Sequence, residues 1–119
     1  MLKVANAKCR DAVSRRLPFK GSNLWGEWVD GVYVVFSYGK HFPLWVYDAE
    51  TEQWFGNADR YSVSTSKHRT QSQPLQATIK WFDTETMQRL RDGGYRRMAT
   101  DRVLFGGMHK PDGWRRVTV

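Results

Sequence analysis

Between Leu24 and Asn57, four short runs of aromatic and β-branched residues follow one another, and Asp30-Gly31 joins the first two. Asp-Gly is a strong two-residue hairpin signal, because both central positions of that turn favour φ > 0. Leu24-Trp25-Gly26-Glu27-Trp28-Val29 and Val32-Tyr33-Val34-Val35-Phe36-Ser37-Tyr38 therefore read as paired strands, the second apolar enough to be central. Gly39-Lys40-His41-Phe42-Pro43 turns the chain into Leu44–Asp48, and Ala49–Glu52 turns it into Gln53–Asn57. Such short connections predict that strands adjacent in sequence pair in space.

The flanks read as helical. Val4, Ala5, Ala12 and Val13 give residues 3–16 a weak apolar stripe, which Pro18 would end. From Phe82 to Gly94 both helix ends are marked: Asp83 or Thr84 as N-cap, Glu85 in the first turn, Arg89 and Arg91 in the last, and Gly93 beyond. Phe82, Thr86, Met87 and Leu90 fall on one face of it. Leu75–Trp81 is an ambiguous strand, Tyr95–Leu104 holds a short helix, and Trp114–Val119 reads as a strand or an ordered tail. The expected fold is α+β: an antiparallel β-meander of four to five strands, with an N-terminal helix and a helix after the sheet. No repeat or linker divides the 119 residues, so residues 1–119 are expected to form a single domain.

Composition narrows the class. Aromatic residues make up 14% of the chain, six of them Trp, which a disordered chain would lack. The lone cysteine, Cys9, excludes an intramolecular disulfide and a Cys-based zinc cluster. No stretch approaches the ~18 apolar residues of a membrane span, and Met1–Asn6 lacks a signal-peptide run, so a cytoplasmic location is expected. Charge is uneven: residues 1–20 carry net +5, residues 21–59 net −5 and residues 60–119 net +7. Basic flanks around an acidic centre attract polyanions, although excess Arg also serves solubility.

Few residues have the spacing of a reactive site. There is no phosphate-binding glycine loop, and His41, His68 and His109 are too far apart for metal ligation, so neither metal nor cofactor is expected. Glu50 and Glu52 read as solvated turn charges. The concentrated polar feature is Tyr61 to Pro74, read as an edge strand followed by a loop. There Tyr61, Ser64, Thr65, Ser66, Lys67, His68 and Arg69 offer hydroxyls, cations and an imidazole to phosphate oxygens. Arg115 and Arg116, beside Trp114, are further candidates for phosphate contact. His41 joins the set if its turn lies beside His68, where an acid–base pair would suit metal-free RNA cleavage. Trp25, Trp28, Trp45, Trp54, Tyr33, Tyr47 and Tyr61 offer either a base-stacking surface or core and cross-strand pairs.

Phe19-Lys20-Gly21-Ser22-Asn23-Leu24, Val34–Leu44 and Tyr61–Arg69 together resemble short proteins of bacteriophages and plasmids. Those proteins share a Tyr-Gly-x-His-aromatic-Pro element and a Tyr-Ser-x-Ser/Thr-Thr-Ser-Lys/Arg-His element, and the similarity covers about residues 18–74. The resemblance implies a mobile-element origin, hence the host-cell cytoplasm, and puts weight on Tyr61–Arg69; it implies no reaction. The expected function is that of a phage or plasmid accessory protein, non-enzymatic, binding nucleic acid (DNA or RNA) through this segment and the basic flanks. The alternatives are an inhibitor that binds a host defence protein and a metal-free ribonuclease.

Overall fold

The computed structural model describes residues 2–29, 31–59 and 63–92. In chain order these form β1 (Leu2–Lys3), a 3-10 turn (Asn6–Lys8), α1 (Arg10–Ser14), β2 (Phe19–Lys20), β3 (Leu24–Val29) and β4 (Val32–Ser37). After them come β5 (Pro43–Asp48), β6 (Gln53–Asn57), α2 (Val63–Ser72), β7 (Ile79–Phe82) and α3 (Thr84–Arg91). The class is α+β. The expected four- to five-stranded antiparallel meander is corrected: the sheet has seven strands in the order β1-β2-β3-β4-β5-β6-β7 and is mixed. Pairs from β2 to β6 are antiparallel, whereas β1–β2 and β6–β7 are parallel.

The physical reason lies in the connections. Parallel neighbours need a crossover rather than a tight turn. The chain from β1 to β2 crosses through the 3-10 turn and α1, and that from β6 to β7 through α2. The segment expected as one helix over 3–16 thus gives up Lys3 to the edge strand Leu2–Lys3, and Val4 N–H extends the ladder by donating to Lys20 O at 3.0 Å. Two-residue strands carry no periodicity to read.

The meander itself follows from its residues. Gly31 takes φ +85 in the β3–β4 turn, as a tight hairpin requires. All of Val32–Ser37 is buried, as befits a central strand. Between Val35 and Phe36 the register with β5 shifts, as Val35 faces Trp45 and Phe36 faces Pro43.

Each sheet face has its own core. On one face, Leu24, Tyr33, Val35, Trp45, Trp54, Ile79 and Trp81 pack with Cys9, Ala12 and Val13 from the α1 crossover. Gly56 lets this happen, because a Cβ there would stand 2.7 Å from Trp45 and 2.8 Å from Trp81. Trp28, Tyr33, Tyr47 and Trp54 form one in-register row across β3, β4, β5 and β6, with ring centroids 4.9 Å apart at Tyr47–Trp54. On the other face, Val34, Phe36, Val46, Phe55 and Phe82 lie under Met87 and Leu90 of α3. Asp83 caps α3 by accepting Thr86 N–H at 3.0 Å. Each fully buried side chain of this kind contributes about 1.5–3 kcal/mol. Among the described residues no helix is long and apolar enough to cross a membrane.

Candidate nucleic-acid interface

Val63–Ser72 is a helix, not the edge strand and loop its composition suggests. Its inward stripe is polar: Thr65, His68 and Ser72, at i, i+3 and i+7, are all buried. Each inward group that matters has a partner. Ser72 Oγ donates to His68 O at 2.6 Å and accepts the indole N–H of Trp45 at 2.8 Å. Polar groups thus replace the apolar stripe of an ordinary surface helix, which is why hydrophobic periodicity misses it.

His68 is the central strut. Asn6 Oδ1 accepts Ser22 N–H at 3.0 Å, which turns its amide nitrogen toward His68 Nε2, 3.5 Å away. Nε2 is therefore the acceptor, and Nδ1 carries the proton it donates to Ser37 Oγ at 2.8 Å. Tyr38 packs its ring on the imidazole at 5.1 Å between centroids. Burial, and then the neighbouring Lys67 charge, lowers the His68 pKa below its ordinary value. One side chain so joins β4, α2 and the 3-10 turn in its neutral form.

Lys67, His68 and Arg69 consequently do not face water together, since successive helical residues point about 100° apart. Lys67 is exposed and His68 buried, and Arg69 donates to the backbone carbonyls of Asn57 and Asp59 at the end of β6. Thr65 also turns inward. The outward stripe of α2 is Ser64, Lys67 and Thr70, at i, i+3 and i+6, while Ser66 is half-buried. Tyr61, Arg115 and Arg116 lie outside the described residues.

His41 and His68 attach to different helices. The Tyr38 end of the β4–β5 turn meets α2, but the carbonyls of Lys40 and His41 accept from Arg91 and Gln88 of α3, on the opposite face. The His41 ring instead lies against Gly39.

A surface that composition alone did not localise emerges from the packing. The 3-10 turn and α1 lie beside α2: Arg10 donates to Thr70 O, and Cys9 Sγ lies 3.8 Å from Gln71 O. Burial pushes the Cys9 thiol up to about 11, so it is an inert packing group. Residues 6–16 and 63–72, far apart in sequence, thereby share one layer that carries six Lys and Arg against Asp11. Lys3, Lys8, Arg15, Lys20 and Lys67 are exposed. Asp11 is engaged with Arg15 at 3.6 Å. Lys3 and Lys20 are register partners in β1 and β2, in the row of Trp25 and Phe36 on the α3 face of the sheet, and with Ser22 rim a separate hollow of about 450 Å³. The acidic Glu50 and Glu52 lie in the β5–β6 turn.

Among the described residues, no group of three or more His, Cys, Asp or Glu is placed to hold a metal ion. Comparison of the chain with protein-family models, with curated proteins and with solved structures finds no match.

Proposed function

We propose that the protein is a mobile-element accessory protein that binds nucleic acid by its phosphate backbone, along the layer made by the 3-10 turn, α1 and α2. The observation that supports this is the convergence of six basic side chains and one acidic one from two distant segments onto a single layer. Ser64 and Thr70 add hydroxyl contacts of the kind phosphates accept. In this reading the exposed contacts are Lys8, Arg15, Ser64, Lys67 and Thr70. His68, Thr65 and Arg69 hold the layer on the sheet rather than touch the ligand.

A salt titration tests it. Binding of a labelled duplex or single strand is expected at ~50 mM salt and weakens as salt rises, log K falling by about 0.9 per phosphate contact per decade on duplex. The combined Lys8→Glu, Arg15→Glu, Lys67→Glu variant is expected to lose about tenfold or more and to flatten that slope. No binding at ~50 mM salt by the wild-type protein overturns the reading and leaves a host protein as the partner.

A further inference from the structure

Just past the C-terminal end of α1 lies a cavity of about 320 Å³, at the small end of the ~300–1,000 Å³ typical of ligand sites. Its walls include Arg16, Tyr47, Glu52, Gln53, Trp54 and Gln76. Tyr47 and Trp54 are the end of the in-register aromatic row, and the Arg16 guanidinium lies over Tyr47, 4.8 Å from the ring centroid. Arg16 Nη1 donates to Ser14 O at 2.9 Å, and Arg16 O accepts the indole N–H of Trp28, so the residue is held at both ends. Gln53 is held too, its Nε2 donating to Trp54 O and to Thr78 O.

The backbone around the cavity is unusual. Arg16, Glu52 and Gln76 each have φ +55, the left-handed region that side-chain-bearing residues disfavour. They are three of the four non-glycine residues with positive φ among the described residues. Conformations of this kind persist where surrounding structure fixes them, and they gather at binding sites.

The chemistry of the walls selects a ligand class. Arg16 and Glu52 oppose each other in charge, so the cavity does not favour a phosphate. It presents cationic donors, a carboxylate acceptor and amides, which match a neutral, planar molecule with donors and acceptors on its edges. An unpaired nucleobase is such a molecule, and guanidinium planes stack on bases as aromatic rings do. Guanine fits the pairing best: Arg donates to O6 and N7, and a carboxylate accepts from the amino and imino N–H groups.

We propose that this cavity takes an unpaired base, guanine before the pyrimidines, delivered by a strand whose phosphates lie on the adjoining basic layer. The inference rests on the nucleic-acid reading and sharpens its substrate to single-stranded or unpaired nucleic acid. Arg15 and Arg16, consecutive at the end of α1, link the layer to the cavity.

Guanosine and cytidine, which carry no phosphate, are the probes, titrated calorimetrically at ~0.5 M salt, where exposed-charge attraction is screened. The wild-type protein is expected to bind guanosine about fivefold or more tightly than cytidine, as one good bidentate contact gives. Thr78→Trp, which fills the cavity from its exposed rim, is expected to abolish nucleoside binding and leave blunt-duplex binding at low salt unchanged. Glu52→Gln, a milder change, is expected to erase the preference for guanosine. No nucleoside binding by the wild-type protein, or equal binding by Thr78→Trp, overturns the inference without touching the phosphate reading. Nucleoside binding that survives while duplex and single strand both fail at ~50 mM salt overturns the phosphate reading alone.

Discussion

α3 and α2 cover opposite faces of one sheet by different means. α3 lays Met87 and Leu90 on Val46, Phe55 and Phe82 and is capped by Asp83. α2 lays Thr65, His68 and Ser72 on the other face and reaches Ser37 and Trp45 through hydrogen bonds. Apolar contact tolerates sliding, whereas a hydrogen-bonded contact is satisfied at one position only. α3 therefore supplies stability and α2 supplies placement, which a surface of converging charges needs.

Truncation on the apolar side should be felt most. Leu90→Ala should cost about 2–5 kcal/mol, read as a lower urea midpoint with unchanged slope. A loss under about 1 kcal/mol would mean that α3 is not a principal cover of its face. His68→Ala should cost less, about 1–3 kcal/mol, mainly by leaving the buried Ser37 hydroxyl without its partner. Amide exchange should then quicken in α2 and the 3-10 turn before it does in α3; uniform quickening would deny the division of labour.

The smallest effect is the pH dependence of the α2 side. The unfolded chain protonates His68 near its ordinary value of 6.5, and the folded chain resists until lower pH. Its contribution is therefore fully present above about pH 6.5 and is lost as pH falls through the lowered folded value. Urea midpoints of the wild-type protein and His68→Ala should converge as pH drops from 7.5 toward 5; a constant gap would deny that burial disfavours the charged imidazole.

Much of the α3 side was legible in the sequence, because its signals are local. Asp83, Glu85, Arg89 and Arg91 punctuate the helix, and Met87 and Leu90 mark its apolar face. The central hairpin was legible for the same reason, through Asp30-Gly31 and the apolar run after it. The edge strands were not, because Leu2–Lys3 and Phe19–Lys20 are defined only by pairing across a crossover. α2 was missed because its buried stripe is made of Thr, His and Ser, whose spacing is helical although their chemistry reads as solvent-facing. That misreading carried into the site: Lys67, His68 and Arg69 looked like one cluster and point three ways. The charge asymmetry was visible, but not that the N-terminal basic segment would pack beside α2. The cavity beside Arg16 was not foreseen, since Arg16, Glu52 and Gln76 are brought together by turns whose left-handed backbone lacks the usual glycine signal.

The strand order has a consequence for how the molecule assembles. Among the described residues, every strand after β1 hydrogen-bonds to the strand made just before it, with no later segment inserted between earlier ones. A chain emerging from the ribosome can thus add each strand to a growing edge as soon as it appears, without waiting for a distant partner. From β2 to β6 the loop closures stay short, and folding rates rise as the separation between partners shrinks.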